Sequence, residues 1–577
     1  SANFYTYLML SSPQMQADLE PQIAALVDER IGDLMEEQNI DIRYELQPLT
    51  DLHLYVNGNI TYVYLFSAIA ALILIVACIN FVNLATARSG ERAQEVGVRK
   101  TLGAHRRRLV GQFLVESVVL ALGAGVVALV AAEAALPAFE SLAGKDLAAS
   151  VVSEPWAVGS LLLGAAATGL LAGVYPAFVL SGYEPVSVLK GTFGGGPRRN
   201  WLRRGLVVTQ FAVSMVLIVG TLVVDAQLDY VQSKNLGFDR EHVAVLPLSS
   251  SLDRDFSTVQ QEMTGVSGVE HVAAVSSIPG GRHGGYQAAT PGETESAKNV
   301  TGIIASAGVV DAMGLTLLAG EGLPSSASYS VEESGYPYLI NETMAQQFGW
   351  EPQEAVGKPM ALHGREGRVR GVVRDFHVTS LRSSIRPLAL FMETDSAPLD
   401  HALVRLRGAS VPSALDGLET TWGELAPSVP FTYRFLDTAY ENLYRAEMRT
   451  GRVFGVVAGL AVVVAILGLV GLAAYTVRRR MKEISIRKTL GATVSGIVGM
   501  FSKEVLVLVG VAFAVATPLA YLAAREWLQR FAYAADIGLS PFLVAVGITA
   551  LLAVATMATQ AVRAAQTNPA DVLQTER

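Results

Sequence analysis

The sequence predicts a polytopic α-helical membrane protein that carries an α+β domain outside the membrane. Three observations predict this fold class. The chain is 51% hydrophobic and only 17% charged, whereas soluble domains contain about 25% charged residues. Long apolar runs recur in both halves, and one long polar region, 229–452, separates the halves. The single cysteine, Cys78, lies within the first apolar run, so the fold holds no disulfide within the chain.

Seven apolar stretches are long enough to span a bilayer, because a spanning helix needs about 20 apolar residues. They are 61–87, 109–135, 156–180, 205–228, 453–477, 496–523 and 541–563. The polar region between the fourth and fifth stretches alternates β-rich runs with helical ones. This alternation is typical of a mixed α+β domain.

The distribution of lysine and arginine predicts the orientation of these spans. The segments 88–108, 181–204 and 478–495 hold seven, five and six basic residues, while 136–155 holds only Lys145 and 524–540 holds only two. Basic loops face the cytoplasm. We therefore expect the polar region 229–452 to be extracytoplasmic. The basic residues form no face that favours nucleic acid as a partner; the lipid bilayer is the expected environment.

A repeat gives the clearest indication of function. EVGVRKTLGA at 95–104 returns as EISIRKTLGA at 483–492, 388 positions later and with seven identities. The same offset relates Phe113 to Phe501 and Glu116 to Glu504. Each copy follows one apolar run and precedes another, so the chain contains a duplicated membrane unit. We expect its halves to be related by an axis normal to the membrane.

Each repeated segment is predicted to form a short amphipathic helix on the cytoplasmic face. Glutamate precedes arginine by four residues, the favourable order for a helical ion pair, and glycine follows where helices commonly end. The residues assigned to this element share these roles in both copies: Glu95, Val98, Arg99, Lys100, Leu102, Gly103, Glu483, Ile486, Arg487, Lys488, Leu490 and Gly491. A membrane-anchoring helix would also be amphipathic. Two equivalent helices, however, favour docking to two equivalent partners.

These segments resemble the MacB/FtsX-type (type VII) permeases of ABC transporters. RKTLGA after the second span of a unit carries the resemblance, as do EPVSVLKG at 184–191 and NPADVLQ at 568–574. Glu184 replaces the asparagine of the family's terminal motif, which leaves only the proline and the Val-Leu pair in that copy. LINETMAQQFGW (339–350), AVGKPM (355–360) and RGVVRDFHVTSLRSSIRPLALF (370–391) resemble the MacB periplasmic core domain.

The resemblance implies a duplicated four-helix FtsX-like unit with seven spans present. We expect the remnant of a first extracytoplasmic domain at 1–60 and a first three-span permease unit at 61–195. The helix opening the second unit lies at 196–228, the MacB-like core domain at 229–452 and the second three-span unit at 453–577. Because the first half lacks a counterpart of 205–228, we expect that helix and most of a first external domain to precede residue 1 in the parent protein.

The resemblance also implies a location in a bacterial cytoplasmic (inner) membrane and a function. A cytoplasmic ABC ATPase dimer would bind ATP and Mg²⁺, and the permease would convert its movement into export or extracytoplasmic mechanotransmission. A periplasmic adaptor or other external partner is a further expected contact. The chain contains no G-x-x-x-x-G-K-[ST] segment, so we expect no cofactor of its own and no enzymatic activity. One alternative is an FtsX-like regulator of an external cell-wall hydrolase.

A second alternative is an ion-driven secondary transporter, whose acidic groups would lie in the spans. Glu116 and Glu504 are the repeated acids near spans, and their positions favour an interfacial role. In the external region, we expect Asp375 and His377 to form a structural polar pair on one strand. Asn341 and Glu342 are predicted to open a helix, and 279–296 to form a flexible loop. No catalytic or metal site is predicted, since the histidines lack zinc-type spacing.

Overall fold

The computed structural model describes residues 6–12, 14–37, 44–51, 60–87, 89–144, 154–182, 197–248, 256–291, 297–325, 329–393 and 399–566. These residues form two compact units. One unit contains residues 1–65 and 234–444, and the other contains residues 66–233 and 445–577. The two units are described separately below as the external unit and the membrane unit.

The first part of the chain is helical. Its helices are α1 (Met15–Glu37), α2 (Leu49–Asp51), α3 (Ile60–Ala87), α4 (Ser89–Thr101), α5 (Arg106–Ala143), α6 (Pro155–Ser181) and α7 (Pro197–Ser233).

The region between the fourth and fifth apolar runs contains strands and short helices. In chain order these are β1 (Val243–Pro247), α8 (Phe256–Thr264), β2 (Val269–Val275), β3 (Gly284–Ala289), β4 (Lys298–Ile304), α9 (Val309–Met313), β5 (Leu317–Gly320), α10 (Val331–Ser334), β6 (Tyr336–Asn341), α11 (Glu342–Gln347), α12 (Pro352–Ala355), β7 (Pro359–Leu362), β8 (Arg365–Val373), β9 (Leu388–Phe391), β10 (His401–Leu406), α13 (Val411–Leu425), β11 (Arg434–Phe435) and α14 (Leu436–Glu441).

The last part of the chain is helical again. It consists of α15 (Arg445–Arg479), α16 (Met481–Thr489), α17 (Val494–Leu528) and α18 (Ser540–Gln566). Seven helices of the described chain are long and apolar enough to cross a membrane, namely α3, α5, α6, α7, α15, α17 and α18. Each contains one of the seven stretches expected from the sequence, so the predicted fold class is confirmed.

The external unit is built on two sheets. A four-stranded antiparallel sheet has the order β11-β1-β10-β2, and α8 and α13 cover it through Val259, Met263 and Trp422. In the second sheet β7 pairs with both β3 and β8, so the strands β8, β6, β9, β4, β3 and β7 close into a ring, and β5 adds to β8. The ring contains parallel and antiparallel pairs, which confirms the mixed α+β prediction.

The region 279–296 differs from its prediction as a flexible loop. Residues Gly284–Ala289 form β3, which pairs with β4 and β7. Ala288 and Ala289 are buried, so this part of the region belongs to the folded sheet. Residues 292–296 lie outside the described part of the chain.

In the membrane unit, α7 packs against α15, α17 and α18. Their shared core includes Phe211, Met215, Leu469, Phe501 and Met557. In the first half, α5 and α6 form a close pair. There the space beside Gly169 and Gly173 is occupied by α5 residues Ser117 and Ala121, a small-residue contact typical of membrane helices.

Equivalent positions of the two repeats meet between α3 and α15. Phe66 and Phe454, which are 388 residues apart, have ring centroids 5.7 Å apart. Asn80 lies directly against Gly468, its own equivalent, and its Nδ2 donates to the Val464 carbonyl at 2.6 Å. Contact between equivalent residues is expected on a two-fold axis, so the local pseudo-symmetry axis passes between α3 and α15.

The predicted orientation can be tested by cysteine labelling in a Cys78→Ser background. Ser141 and Thr489 are both exposed, and the distribution of basic residues places them on opposite sides. We expect Ser141→Cys to react with an impermeant maleimide in intact cells and Thr489→Cys to react only after lysis. Ser485 is unsuitable because it is buried. Labelling of Thr489→Cys in intact cells would contradict the orientation.

Candidate functional site

The two repeated segments form α4 and α16, and both helices end in the same way. Gly103 and Gly491 have φ of +92° and +91°, the left-handed conformation predicted for them. The next residue, Ala104 or Ala492, donates its backbone N–H to the Arg99 or Arg487 carbonyl at 2.9 Å in each copy. This Schellman arrangement satisfies carbonyls at the end of the helix. Glycine is required there because other residues rarely adopt this φ.

The predicted ion pairs are present in both copies. Arg99 Nη2 lies 2.6 Å from Glu95 Oε1, and Arg487 Nη2 lies 2.7 Å from Glu483 Oε1. All four side chains are exposed, so each pair contributes only a few tenths of a kcal/mol. The pairs therefore orient the arginines more than they stabilise the chain.

Each helix buries one face and exposes another. Val96 and Ile484 are 1% and 2% exposed, and Ile484 belongs to the core formed with α17 and α18. Leu102 and Leu490, in contrast, are each 82% exposed, and Val98 and Ile486 are also exposed. Large apolar side chains held on an exposed face are typical of interaction surfaces.

Val96 and Ile484 were missed by the sequence reasoning, which assigned the apolar stripe to the residues that are exposed. Both copies place a β-branched apolar residue directly after the glutamate, at Val96 and Ile484. The apolar residue shared by both copies at this position could have identified the buried face of each helix. The sequence did not show whether the apolar side chains of Val98, Leu102, Ile486 and Leu490 pack on the ends of the spans. In the structure these side chains are exposed.

Polar contacts fix α16 to the neighbouring spanning helices. Lys488 Nζ donates to the Ala565 carbonyl at 2.5 Å, in the last turn of α18, where carbonyls lack helical partners. Arg487 Nη1 lies 2.9 Å from Met500 Sδ on α17, and at the equivalent position Arg99 Nη1 donates to Gln112 Oε1 at 2.8 Å. The exposed apolar face is therefore carried by a helix that is anchored on its other side.

The repeated acid near the spans is also part of this anchoring. Glu504 accepts a hydrogen bond from Arg480 at 2.8 Å, and the Arg480 guanidinium lies 5.7 Å from the Phe501 ring centroid. Glu116, its equivalent, is likewise engaged in a polar interaction. The arrangement fits the interfacial role expected for these acids and gives no support to ion coupling.

In the external unit, Asp375 and His377 do not lie on a strand, because β8 ends at Val373. The prediction that they share one face of a strand was therefore wrong. Asp375 instead accepts hydrogen bonds from the Thr343 N–H and hydroxyl at 2.9 and 2.6 Å. Asn341 caps the same helix, α11, by accepting from the Met344 N–H at 3.0 Å. The cap predicted at Asn341 and Glu342 is confirmed.

His377 makes the stability of this unit depend on pH. The pKa of its imidazole is lowered from 6.5 to about 4, because burial, the largest cause, and the charge of Lys234 both disfavour the protonated ring, while Asp375 partly opposes them. Because the unfolded chain binds the proton more readily, stability is fully present above pH 6.5 and falls as the pH decreases towards 4. We expect His377→Gln to reduce this loss, measured by thermal unfolding of the full chain between pH 7 and 4.

The control for this measurement is His271→Gln, which changes an exposed histidine of the same unit. Burial also lowers the pKa of His283 and His401, so part of the pH dependence should remain in His377→Gln. If the thermal unfolding of His377→Gln depends on pH as strongly as that of the wild type, His377 does not contribute to the loss of stability at low pH.

Other predicted features of the chain stay untested. The terminal motifs at 184–191 and 568–574 lie outside the described residues. No group of His, Cys, Asp or Glu in the described ranges is placed to hold a metal ion.

Comparison with known proteins gives one family model and several relatives. Residues 67–185 and 455–569 each match the model of the FtsX-like permease C-terminal domain. The macrolide export ATP-binding/permease protein MacB of Nitrobacter winogradskyi is 36% identical over 125 residues, which cover 22% of this chain and 19% of that protein. The uncharacterized ABC transporter permease YknZ of Bacillus subtilis is 32% identical over 123 residues, 21% of this chain and 30% of that protein.

Solved structures with similar regions include the periplasmic region of MacB from Actinobacillus actinomycetemcomitans. It is 13% identical, and the match covers 37% of this chain and 98% of that one with a TM-score of 0.28. The extracellular domain of the transporter YknZ from Gram-positive bacteria is 15% identical, covering 33% and 98% with a TM-score of 0.24. The chain spans about a fifth to a third of the length of the curated relatives named above.

Proposed function

The chain belongs to the MacB/FtsX-like permeases of ABC transporters, and from this premise we propose that it transmits movement from a separate cytoplasmic ATPase to its external unit. The output would be export or mechanical action outside the cytoplasm. One observation carries the proposal. Two equivalent helices expose Leu102 and Leu490 while their opposite faces are buried.

The duplication indicates what kind of partner fits these helices. A homodimeric ATPase presents two identical surfaces, and two copies of one short helix match such a partner better than a single site would. The partner would supply ATP and Mg²⁺, because the 577 residues contain no P-loop. A periplasmic adaptor or another external partner is part of the same proposal.

The anchoring of α16 explains how a push on the docking face would reach the membrane. Ile484 is buried in the core that joins α17 and α18, and Lys488 holds the last turn of α18. A displacement of α16 would therefore move α17 and α18 with it. A helix attached only by a flexible linker would move without them.

The proposal is tested by reconstituting the full chain in nanodiscs with the ABC ATPase that co-purifies with it. We expect no ATP hydrolysis by the chain alone and a several-fold increase in ATPase turnover when the chain is present. ATP hydrolysis by the purified chain alone, or recruitment of no ATPase, would overturn the proposal.

A further inference from the structure

We propose that a polar cleft in the external unit binds a small molecule that carries a carboxylate or phosphate group. The cleft has a volume of about 490 Å³, is open to solvent, and is lined by residues of the segments 235–239, 314–316 and 374–377. This volume falls in the usual range of ligand pockets, about 300–1,000 Å³. The following contacts show which chemistry its walls leave available.

The carboxylates of the cleft already have hydrogen-bond donors. Asp375 accepts from the Thr343 N–H at 2.9 Å and from the Thr343 hydroxyl at 2.6 Å. Asp239 accepts from the Glu241 N–H at 3.1 Å and from Arg405 Nη1 at 2.8 Å. Both oxygens of each carboxylate therefore already accept a hydrogen bond from the protein.

The donors of the cleft, in contrast, are available. Within the described chain, the Arg374 guanidinium has no polar partner, although its backbone N–H donates to the Thr316 carbonyl at 2.8 Å. Asn235 Oδ1 accepts from the Gly237 N–H at 2.9 Å, and the amide NH₂ of Asn235 has no partner in the same set of residues. An exposed arginine fork and an exposed side-chain amide therefore line the cleft as donors without a partner among the described residues.

A cleft with free donors and engaged acceptors fits an acceptor-rich anion. The planar guanidinium binds carboxylate or phosphate oxygens through two parallel hydrogen bonds, and the amide can reach a third oxygen. Ile385 adds an apolar side chain to the wall, which suits a ligand whose charged group is attached to a small carbon skeleton. None of these contacts involves α4 or α16, so this site does not rest on the proposed function.

The test uses the full chain in detergent at constant ionic strength, with chloride as the reference anion. Inorganic phosphate is titrated by ³¹P NMR and citrate by saturation-transfer ¹H NMR. We expect saturable binding of at least one probe, and the probe that binds assigns the group as phosphate or carboxylate. Absence of saturable binding by both probes would overturn the proposal.

Arg374→Gln and a charge-matched control variant distinguish binding in the cleft from general electrostatic attraction of anions to the protein. Arg374→Gln should weaken binding about tenfold or more, whereas Arg368→Gln should change it less than about twofold. Arg368 is an exposed arginine on β8, outside the cleft lining, and its replacement removes the same charge. Equal weakening by both variants would overturn the site in favour of diffuse attraction.

Asn235→Asp tests whether Asn235 belongs to the anion site. The new carboxylate keeps the acceptor for the Gly237 N–H, replaces the amide donors with an oxygen acceptor and adds a negative charge that also repels the anion. We expect about a tenfold loss of anion binding with an unchanged thermal unfolding midpoint. Binding at wild-type affinity would remove Asn235 from the site and contradict the donor-based argument.

Discussion

Replacing Leu102 and Leu490 together with aspartate is expected to abolish recruitment of the ATPase. Both side chains are 82% exposed in the chain, so the change should leave folding and membrane insertion intact. In the complex it would bury unpaired carboxylates, at a cost of several kcal/mol. We expect affinity to fall by about 100-fold or more, measured by pull-down and by titration of the ATPase against the reconstituted chain.

The matched control replaces the same two leucines with alanine, which removes apolar contact without adding charge. That pair should weaken recruitment less than the aspartate pair. Each single aspartate variant should give an intermediate affinity, since one of two docking helices remains. Wild-type recruitment and wild-type ATPase stimulation by the double aspartate variant would show that the docking assignment is wrong.

The same variants distinguish docking from membrane anchoring. If α4 and α16 served only to hold the chain at the lipid surface, aspartate would lower the amount of inserted protein. ATPase recruitment per inserted chain would then be unchanged. Insertion and recruitment are therefore measured on the same samples.

Replacing Gly468 with asparagine is expected to destabilise the membrane unit. A Cβ atom at this position would overlap the Asn80 amide, and both groups lie in the packed contact between α3 and α15. Overpacking of this kind typically costs about 1–3 kcal/mol. A clear decrease in the thermal unfolding midpoint and in the folded yield of the detergent-solubilised chain should follow.

The control exchanges the residues at the two equivalent positions. Because positions 80 and 468 are equivalent in the repeat, Asn80→Gly combined with Gly468→Asn should recover most of the lost stability. The amide would then project from α15 towards α3, and the Val76 carbonyl is the equivalent of the Val464 carbonyl that Asn80 now contacts. If the double variant is as unstable as Gly468→Asn alone, the two positions do not face each other across a pseudo-symmetry axis.

The sequence by itself determined the features that depend on local chemistry or on repetition. The seven spans follow from apolar length, and the ends of α4 and α16 follow from glycine after a basic turn. The ion pairs of Glu95 with Arg99 and of Glu483 with Arg487 follow from helical spacing. The cap at Asn341 follows from an amide that precedes a helix. The caps and ion pairs depend on residues within one or two turns of each other, and the spans depend on one continuous apolar run.

Only the tertiary structure decided which apolar residues of the repeated helices are buried. Val96 and Val98 are both β-branched and apolar, yet Val96 is buried and Val98 is exposed, because burial depends on which face meets the neighbouring spans. For the same reason the sequence placed Asp375 on a strand, whereas it bonds to Thr343, 32 residues earlier in the chain. The contact of Asn80 with Gly468 and the cleft beside Arg374 also join residues distant in sequence, and chain folding alone brings them together.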